Sequence, residues 1–575
     1  MSEQRNLILA IALSLAILMV FQVLGKKPKP PVETQTVEQQ QAAPTPAPGV
    51  PAPPQTAPLS APGSAPPSVG QADAGTDPGT RIRIETPSLH GSISLVGARV
   101  DALTLVKYRE AIDPKSPEIT LLSPLGSPAP YFAEFGWVAS AGQTIDMPGP
   151  ATRWTADRAE LTPAHPVTLS WTNKAGIRFS RTFAVDDKYM FTVTQQVENN
   201  GPAPVTLRPY GLITRVGTPK TMGMYIMHEG PLGVLDGTLK EKNYSDLSEP
   251  EGAFKGESTG GWAGFTDKYW LVALAPDPKT KTSVRFFHQP FNSTDLYQVD
   301  HLDEAMTAAP GTAIVHSEYL FTGAKEAETL DHYSEKLGID RFDLAIDFGW
   351  YYFLTKPFFY ALRFLHGLVG NFGVAILLFT VVIKGLFYPL ANKSYVAMSM
   401  MKKLQPEVKK LQGRFADDKV RLNQELMALY KREKVNPASG CLPILVQIPV
   451  FFSLYKVLFI SIEMRHAPFF GWIHDLSAPD PTSLFNLFGL IPWTPPDMLM
   501  IGVWPLIMGA TMYLQQKLNP QPADPIQAKM FMFLPLVFTV MLSQFAAGLV
   551  IYWAWNNVLS IAQQWTIMKR MGVPS

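Results

Sequence analysis

The sequence predicts a multidomain membrane protein in which an α-helical transmembrane bundle is joined to a large antiparallel β-sandwich outside the membrane. Three observations carry this expectation. Beyond about Trp350, apolar runs of near-membrane length recur, as in GVAILLFTVVI and LPILVQIPVFFSLYKVLFI. Between Arg81 and Asp340 the texture is one of short alternating segments broken by Gly, Pro and Asn, such as RIRIE, VTLSW, IRFSRTF and MFTVTQQVE. That is the pattern of half-buried strands. Basic residues, finally, concentrate between two apolar runs, from Lys402 to Lys434. Bulk averages hide this segregation, since the 575 residues are 46% hydrophobic with a net charge of +1.

Residues 1–25 hold an apolar run, Leu7 to Val23, flanked by Arg5 and by Lys26, Lys27 and Lys29. No small-x-small cleavage site precedes the lysines, so the run reads as an uncleaved signal anchor. Residues 26–80, rich in Pro and Ala, cannot bury a core and read as a disordered tether. Residues 81–341 form the expected sandwich, with a hairpin turn at Asn173–Gly176 and another turn at Asn199-Asn200-Gly201. This region carries no nucleophile elbow, HExxH, phosphate loop or dinucleotide fingerprint. His288 and His316 lie in strand-like runs without clustered partners and read as core or surface histidines. The single cysteine, Cys441, excludes an internal disulfide and any multi-cysteine metal site. No catalytic group, cofactor or metal is expected.

Residues 342–371 are dense in aromatics with scattered cations, which suits an amphipathic helix in the membrane interface, with Pro357 in its first turn. A buried core helix is the alternative. The span at 372–391 contains Lys384, and a cation in hydrocarbon costs roughly 2.5–3.5 kcal/mol even on the lenient insertion scale. Two readings stand. Lys384 snorkels to the headgroups, or it lines a polar cavity with Thr380 and Tyr388, one turn before and after it. After a break at Pro389, residues 392–436 read as a basic helical hairpin. Leu404, Val408, Leu411 and Phe415 mark one helix, Leu422, Leu426 and Leu429 the other, and Ala416-Asp417-Asp418 the turn. Further spans are expected at 437–461, 497–516, 529–546 and 547–568, with loops at 462–496 and 517–528 and a tail at 569–575. The stretch His474–Pro496 reads either as loop or as re-entrant segment. The positive-inside rule places the hairpin, the 517–528 loop and the tail in the cytoplasm, against the opposite bias of Lys26, Lys27 and Lys29.

KGLFYPL, MKKLQPEVKKLQ, ELMALYKREKVNPASGCLPILVQIPVFFSLY, APFFGWIHDLSAPDP and GLVIYWAWNNVLSIAQQ together resemble the YidC insertase family, with its mitochondrial Oxa and chloroplast Alb relatives. GGWAGFTDKYWLVALAP is similar to the periplasmic domain of its Gram-negative members. The resemblance implies a five-helix core whose hydrophilic groove opens to cytoplasm and lipid. It puts Lys384 where the family's central cation, usually arginine, stands, with Thr380 one turn away. Gln447, Ile448 and Phe451 match groove or client-contact positions. Met541 falls where an aromatic residue often sits, and Trp553 where a second tyrosine follows Tyr552. Asp417 and Asp418 match the hairpin tip, near Lys402, Lys403, Lys409 and Lys410. The implied function is insertion and folding of nascent integral membrane proteins, alone or with the Sec translocon. The implied partners are those nascent proteins, Sec components, the ribosome and membrane lipids, with no small-molecule substrate. The implied location is the inner membrane, with both termini cytoplasmic and the large domain periplasmic.

Overall fold

The computed structural model describes residues 80–572 apart from 141–142, 222, 224–225, 292–293, 416–417, 437–441, 494, 497–498 and 520–524. The expected signal anchor, nearly all of the tether, Cys441 and Asp417 lie outside the described residues.

Among the described residues the first part of the chain forms two sheets, of eleven and nine strands. In the larger, Val205–Val216 pairs antiparallel with Tyr131–Ala139 and Thr294–Asp303. In the smaller, Ala313–Ala324 lies between Met190–Asn199 and Trp270–Pro276. Strict alternation drives this layering, because Ile177–Val185 buries every second residue and so sends Phe179 and Phe183 into the core. Trp262, Phe265, Phe286 and Phe321 complete the apolar interior. One edge departs from the antiparallel expectation, since Arg81–Glu85 pairs parallel with the two-residue strand Glu160–Leu161.

The hairpin at Asn173–Gly176 forms because Asn173 Oδ1 accepts from the backbone N–H groups of Ala175 and Ile177. Gly176 supplies the left-handed φ of 82° that the turn requires. At Asn199-Asn200-Gly201 the chain instead changes sheets. The Asn199 side chain holds that crossing by donating to Ala203 O and Ala308 O at 2.8 and 2.9 Å.

His316 is a core histidine, one of the two expected readings, but it is not without clustered partners. It is buried, with Nε2 3.2 Å from the Asp303 carboxylate and 3.8 Å from Glu318. Beside it His301 donates to Asp303 at 3.0 Å and to Glu318 at 2.8 Å. Glu318 also accepts from Gln195 at 3.1 Å. His301 and Asp303 belong to the larger sheet, His316 and Glu318 to the smaller, so the cluster is a polar tie through the sandwich. No single strand's pattern could show it, because its members meet only when the sheets stack. Burial opposes the charged imidazolium, but the two carboxylates outweigh it and hold His301 well above the ordinary histidine range.

Helix α1, Ala327–Leu337, follows the last strand and stops at Gly338 in the left-handed region. Helix α2, Tyr352–Val369, contains Pro357 in its interior rather than its first turn, since the helix already begins at Tyr352. Helices α3, Phe372–Leu386, and α4, Tyr388–Arg414, meet at a 70° bend. Then come α5, Lys419–Arg432, α6, Leu442–Ile460, α7, Val503–Leu518, α8, Pro525–Leu542, and α9, Ala547–Arg570. Among the described residues no single helix is long and apolar enough to cross a membrane alone. The bent pair of α3 and α4 passes that test together.

The sandwich docks on the C-terminal end of α6 and the loop after it. Lys456 is buried and pairs with Asp347 at 2.9 Å, also donating to Ile226 O. Arg465 donates to Arg109 O at 2.6 Å and lies over the Trp270 ring. Asp347→Ala should lower stability by about 2 kcal/mol by stranding a buried ammonium. Lys456→Met, which keeps the stem and removes the charge, should cost less. Thermal unfolding of the full chain compares the two, and a larger loss in Lys456→Met would contradict this account.

Candidate functional site

Helix α9 is where the expected site residues converge. Tyr552, Asn556 and Ser560 recur every four residues and therefore share one face. Lys384, half-buried in the last turn of α3, donates from Nζ to Ser560 Oγ at 2.7 Å. Ser560 in turn donates to Asn556 O at 2.8 Å. Gln447 of α6 donates from Nε2 to Tyr552 Oη, and Tyr552 is buried. The same α9 face thus binds the ammonium of α3 and the amide of α6.

An aromatic wall continues beside this seam. The Phe451 ring lies 4.6 Å from Trp553, which also meets Phe538 of α8 at 6.1 Å. Met541 and Trp553 pack on one cluster of Met508, Leu542, Val550 and Ala554, which links α7, α8 and α9. Ile448 is 45% exposed on α6. Thr380 is set apart from these residues, being 1% exposed with its hydroxyl donated to Ile376 O at 2.7 Å. In an apolar helix the carbonyl one turn back is the nearest acceptor for such a hydroxyl. Tyr388 lies beyond the bend and does not continue the Lys384 face of α3.

A second row of α9 faces α7. Asn557 donates to Thr511 at 3.2 Å, and Gln564 donates to Asn519 at 3.1 Å. Ser453 Oγ, Asn556 Oδ1 and Gln564 Oε1 are buried without a hydrogen-bond partner among the described residues. Ser560 escaped the sequence reading. The signal was nevertheless present as a Tyr552, Asn556, Ser560 spacing of four along one face of the helix.

The basic hairpin folds as two helices around Val408, Leu426 and Leu429. Asp418 caps α5 by accepting from Arg421 N at 3.0 Å. Lys409 and Lys410 are exposed, whereas Lys402 is half-buried. Lys403 donates to Met571 O at 2.5 Å, which ties the hairpin's first helix to the end of α9.

None of α3, α6, α7, α8 and α9 contains an aspartate or glutamate. The Lys384 ammonium therefore has hydroxyl company but no carboxylate from these helices. Such an arrangement can attract an anionic or polar segment. Among the described residues no cluster of His, Cys, Asp and Glu could hold a metal ion.

Two family models match the chain, described as the YidC periplasmic domain over residues 81–361 and the 60Kd inner membrane protein over residues 364–573. A membrane protein insertase YidC of Methylobacterium sp. (strain 4-46) is 51% identical over 606 residues, covering 100% of this chain and 96% of the relative. The same protein of Methylobacterium nodulans is 51% identical over 582 residues, with the same coverage of both. A solved active YidC insertase with its first transmembrane domain resolved is 17% identical, with a TM-score of 0.36, over 84% of this chain and 92% of that one.

Proposed function

The chain belongs to the YidC family of membrane protein insertases, and on that premise we propose that it inserts nascent proteins into the inner membrane along the α9 seam. In this reading α3, α6, α7, α8 and α9 form a five-helix transmembrane bundle, with α2 in the interface and the sandwich in the periplasm. Both termini and the α4–α5 hairpin are cytoplasmic. Lys384, Gln447, Ile448, Phe451, Met541, Tyr552 and Trp553 belong to a groove open to cytoplasm and lipid, to which the buried Thr380 contributes packing rather than a free hydroxyl.

The observation that carries this reading is the Lys384 ammonium, placed in an apolar helix against α9, in a set of five helices without a carboxylate. A cation so placed is costly unless water or an anionic guest stabilises it. Water in the groove would also satisfy Ser453, Asn556 and Gln564. Such a half-channel shortens the layer that a client's polar flank must cross, where unpaired backbone finds no partner. The client's apolar helix then leaves sideways into lipid, driven by burial worth about 25 cal/mol per Å². The exposed lysines of the hairpin, Lys409 and Lys410, supply long-range attraction to ribosomal RNA. Cooperation with the Sec translocon belongs to the same proposal.

Photocrosslinking to a stalled nascent membrane protein tests the groove. A probe at Ile448 should capture the client several-fold more strongly than a probe at Leu458, which is buried on the same helix. Equal capture at both positions, or none at either, would count against the groove.

A further inference from the structure

We infer that the loop between α6 and α7 inserts its tip into the outer leaflet of the bilayer as an apolar wedge, an inference that rests on reading those helices as spans. Between Asp480 and Asp497 the sequence has no charged residue. The tip presents Leu484, Phe485, Leu487, Phe488, Leu490 and Trp493, all exposed, with Leu490 at 84%. A contiguous apolar surface of this kind marks an interaction site.

Three features select lipid as the occupant. First, the tip satisfies its own backbone: Phe488 N donates to Ser483 O at 2.8 Å and Ile491 N to Asn486 O at 3.0 Å. Polypeptide entering hydrocarbon needs such internal pairing, because no water is there to replace it. Second, the tip carries no charged residue, unlike the rim of most specific protein interfaces, and it includes Trp493, a residue type that favours the membrane–water boundary. Third, the foot of the loop is fixed against α7. Asp480 accepts from Trp472 Nε1 at 3.1 Å, from Thr482 Oγ1 at 2.7 Å and from Trp504 N at 2.9 Å. Gly502 is needed there, since a Cβ would lie 2.4 Å from the Asp480 carboxyl carbon.

The tip is also strained. Leu487 and Phe488 both adopt left-handed φ, 50° and 58°, which bulky residues avoid. Strain of this kind persists where the surroundings compensate for it, and burial of large apolar side chains in lipid supplies that compensation. The wedge would sit at the outer end of the bundle, with the exposed Trp472 bonded at its foot.

The test uses the full-length chain with Cys441→Ser, carrying an environment-sensitive NBD label at Leu490→Cys and reconstituted in phosphatidylcholine–phosphatidylglycerol vesicles. Matched proteins carry the label at Leu536→Cys on the exposed face of α8 or at Ile112→Cys on the sandwich. Nitroxide-bearing lipids should quench the label at 490, and iodide should quench it several-fold less than the label at 112. Adding Leu487→Asp should reduce the lipid quenching at 490, and unchanged quenching would contradict insertion of the tip. Ready iodide quenching at 490 without lipid quenching would place the loop in water. Shielding from both quenchers would mean that protein covers it. Either outcome overturns the wedge alone if position 536 is quenched by lipid, whereas loss of lipid quenching at both positions overturns the spanning reading as well.

Discussion

Lys384→Ala should reduce insertion of a client with an acidic translocated segment by about tenfold or more, while Lys384→Arg stays near the parent protein. Two unit charges 4 Å apart attract by about 4 kcal/mol at an effective dielectric of 20, and about 1.4 kcal/mol already makes a tenfold difference. No carboxylate on α3, α6, α7, α8 or α9 competes for the ammonium. Ser560 holds it at 2.7 Å with a neutral oxygen, which a client carboxylate can displace or share. A matched client with a neutral translocated segment should be far less sensitive. Lys384→Gln separates charge from polarity, since it keeps hydrogen bonding and removes attraction. Insertion of both clients at the parental rate by Lys384→Ala, at equal expression, would remove Lys384 from the mechanism.

His301→Leu should destabilise the sandwich by about 3–5 kcal/mol, the range for breaking a buried ion pair from one side. The substitution leaves Asp303 and Glu318, at 1% and 0% exposure, with only His316 beside them. The pH dependence should also change. The folded value of His301 lies well above the unfolded value of about 6.5. Its contribution is therefore complete below about pH 6.5 and is lost only as pH rises through the higher folded value. Asp303 is held low, chiefly by His301 against the cost of burial. Its contribution is present above about pH 3.9 and disappears as pH falls through the folded value. The parent should therefore hold its stability up to about pH 6.5 and lose it as pH rises further, by at most about 1.4 kcal/mol per unit, whereas His301→Leu should lack that loss and gain stability on mild acidification as a stranded carboxyl takes up a proton. Thermal unfolding of the full chain between pH 5 and 8 tests this, and parallel profiles for parent and variant would rule out the charged tie.

The sandwich was legible because alternation is local. RIRIE and IRFSRTF state which residues face inward without knowledge of any partner strand. The polar tie was not legible, since His301 and Glu318 belong to different sheets and meet only after the sheets pack. Lys384 stood out in the sequence because a cation inside an apolar run is costly, but its partner Ser560 lies far along the chain on α9. Lys456 sits equally deep in LPILVQIPVFFSLYKVLFI, yet its significance emerged only with Asp347 beside it. Helix α1, AETLDHYSEKL, is short and polar enough to pass for a loop, and its burial of Leu330 and Tyr333 depends on the sandwich behind it. The break near Pro389 was readable, whereas the 70° turn that removes Tyr388 from the Lys384 face was not.

The position of Ala313–Ala324 between Met190–Asn199 and Trp270–Pro276 sets an order of assembly. Chains emerge from the ribosome N-terminus first, so the nine-stranded sheet remains in two halves until its middle strand, late in the chain, has been delivered. Sheets built from such distant pairings close in milliseconds to seconds. The roughly 250 residues that follow Ala324 take about 12–50 s to synthesise at 5–20 residues per second. The sandwich thus has time to close before the last helix is made, and the C-terminal end of α6 arrives at a finished surface. Asp347 and the start of α1 then act as a template onto which Lys456 and Glu463 settle, so the periplasmic domain helps to register the helix that carries Gln447, Ile448 and Phe451.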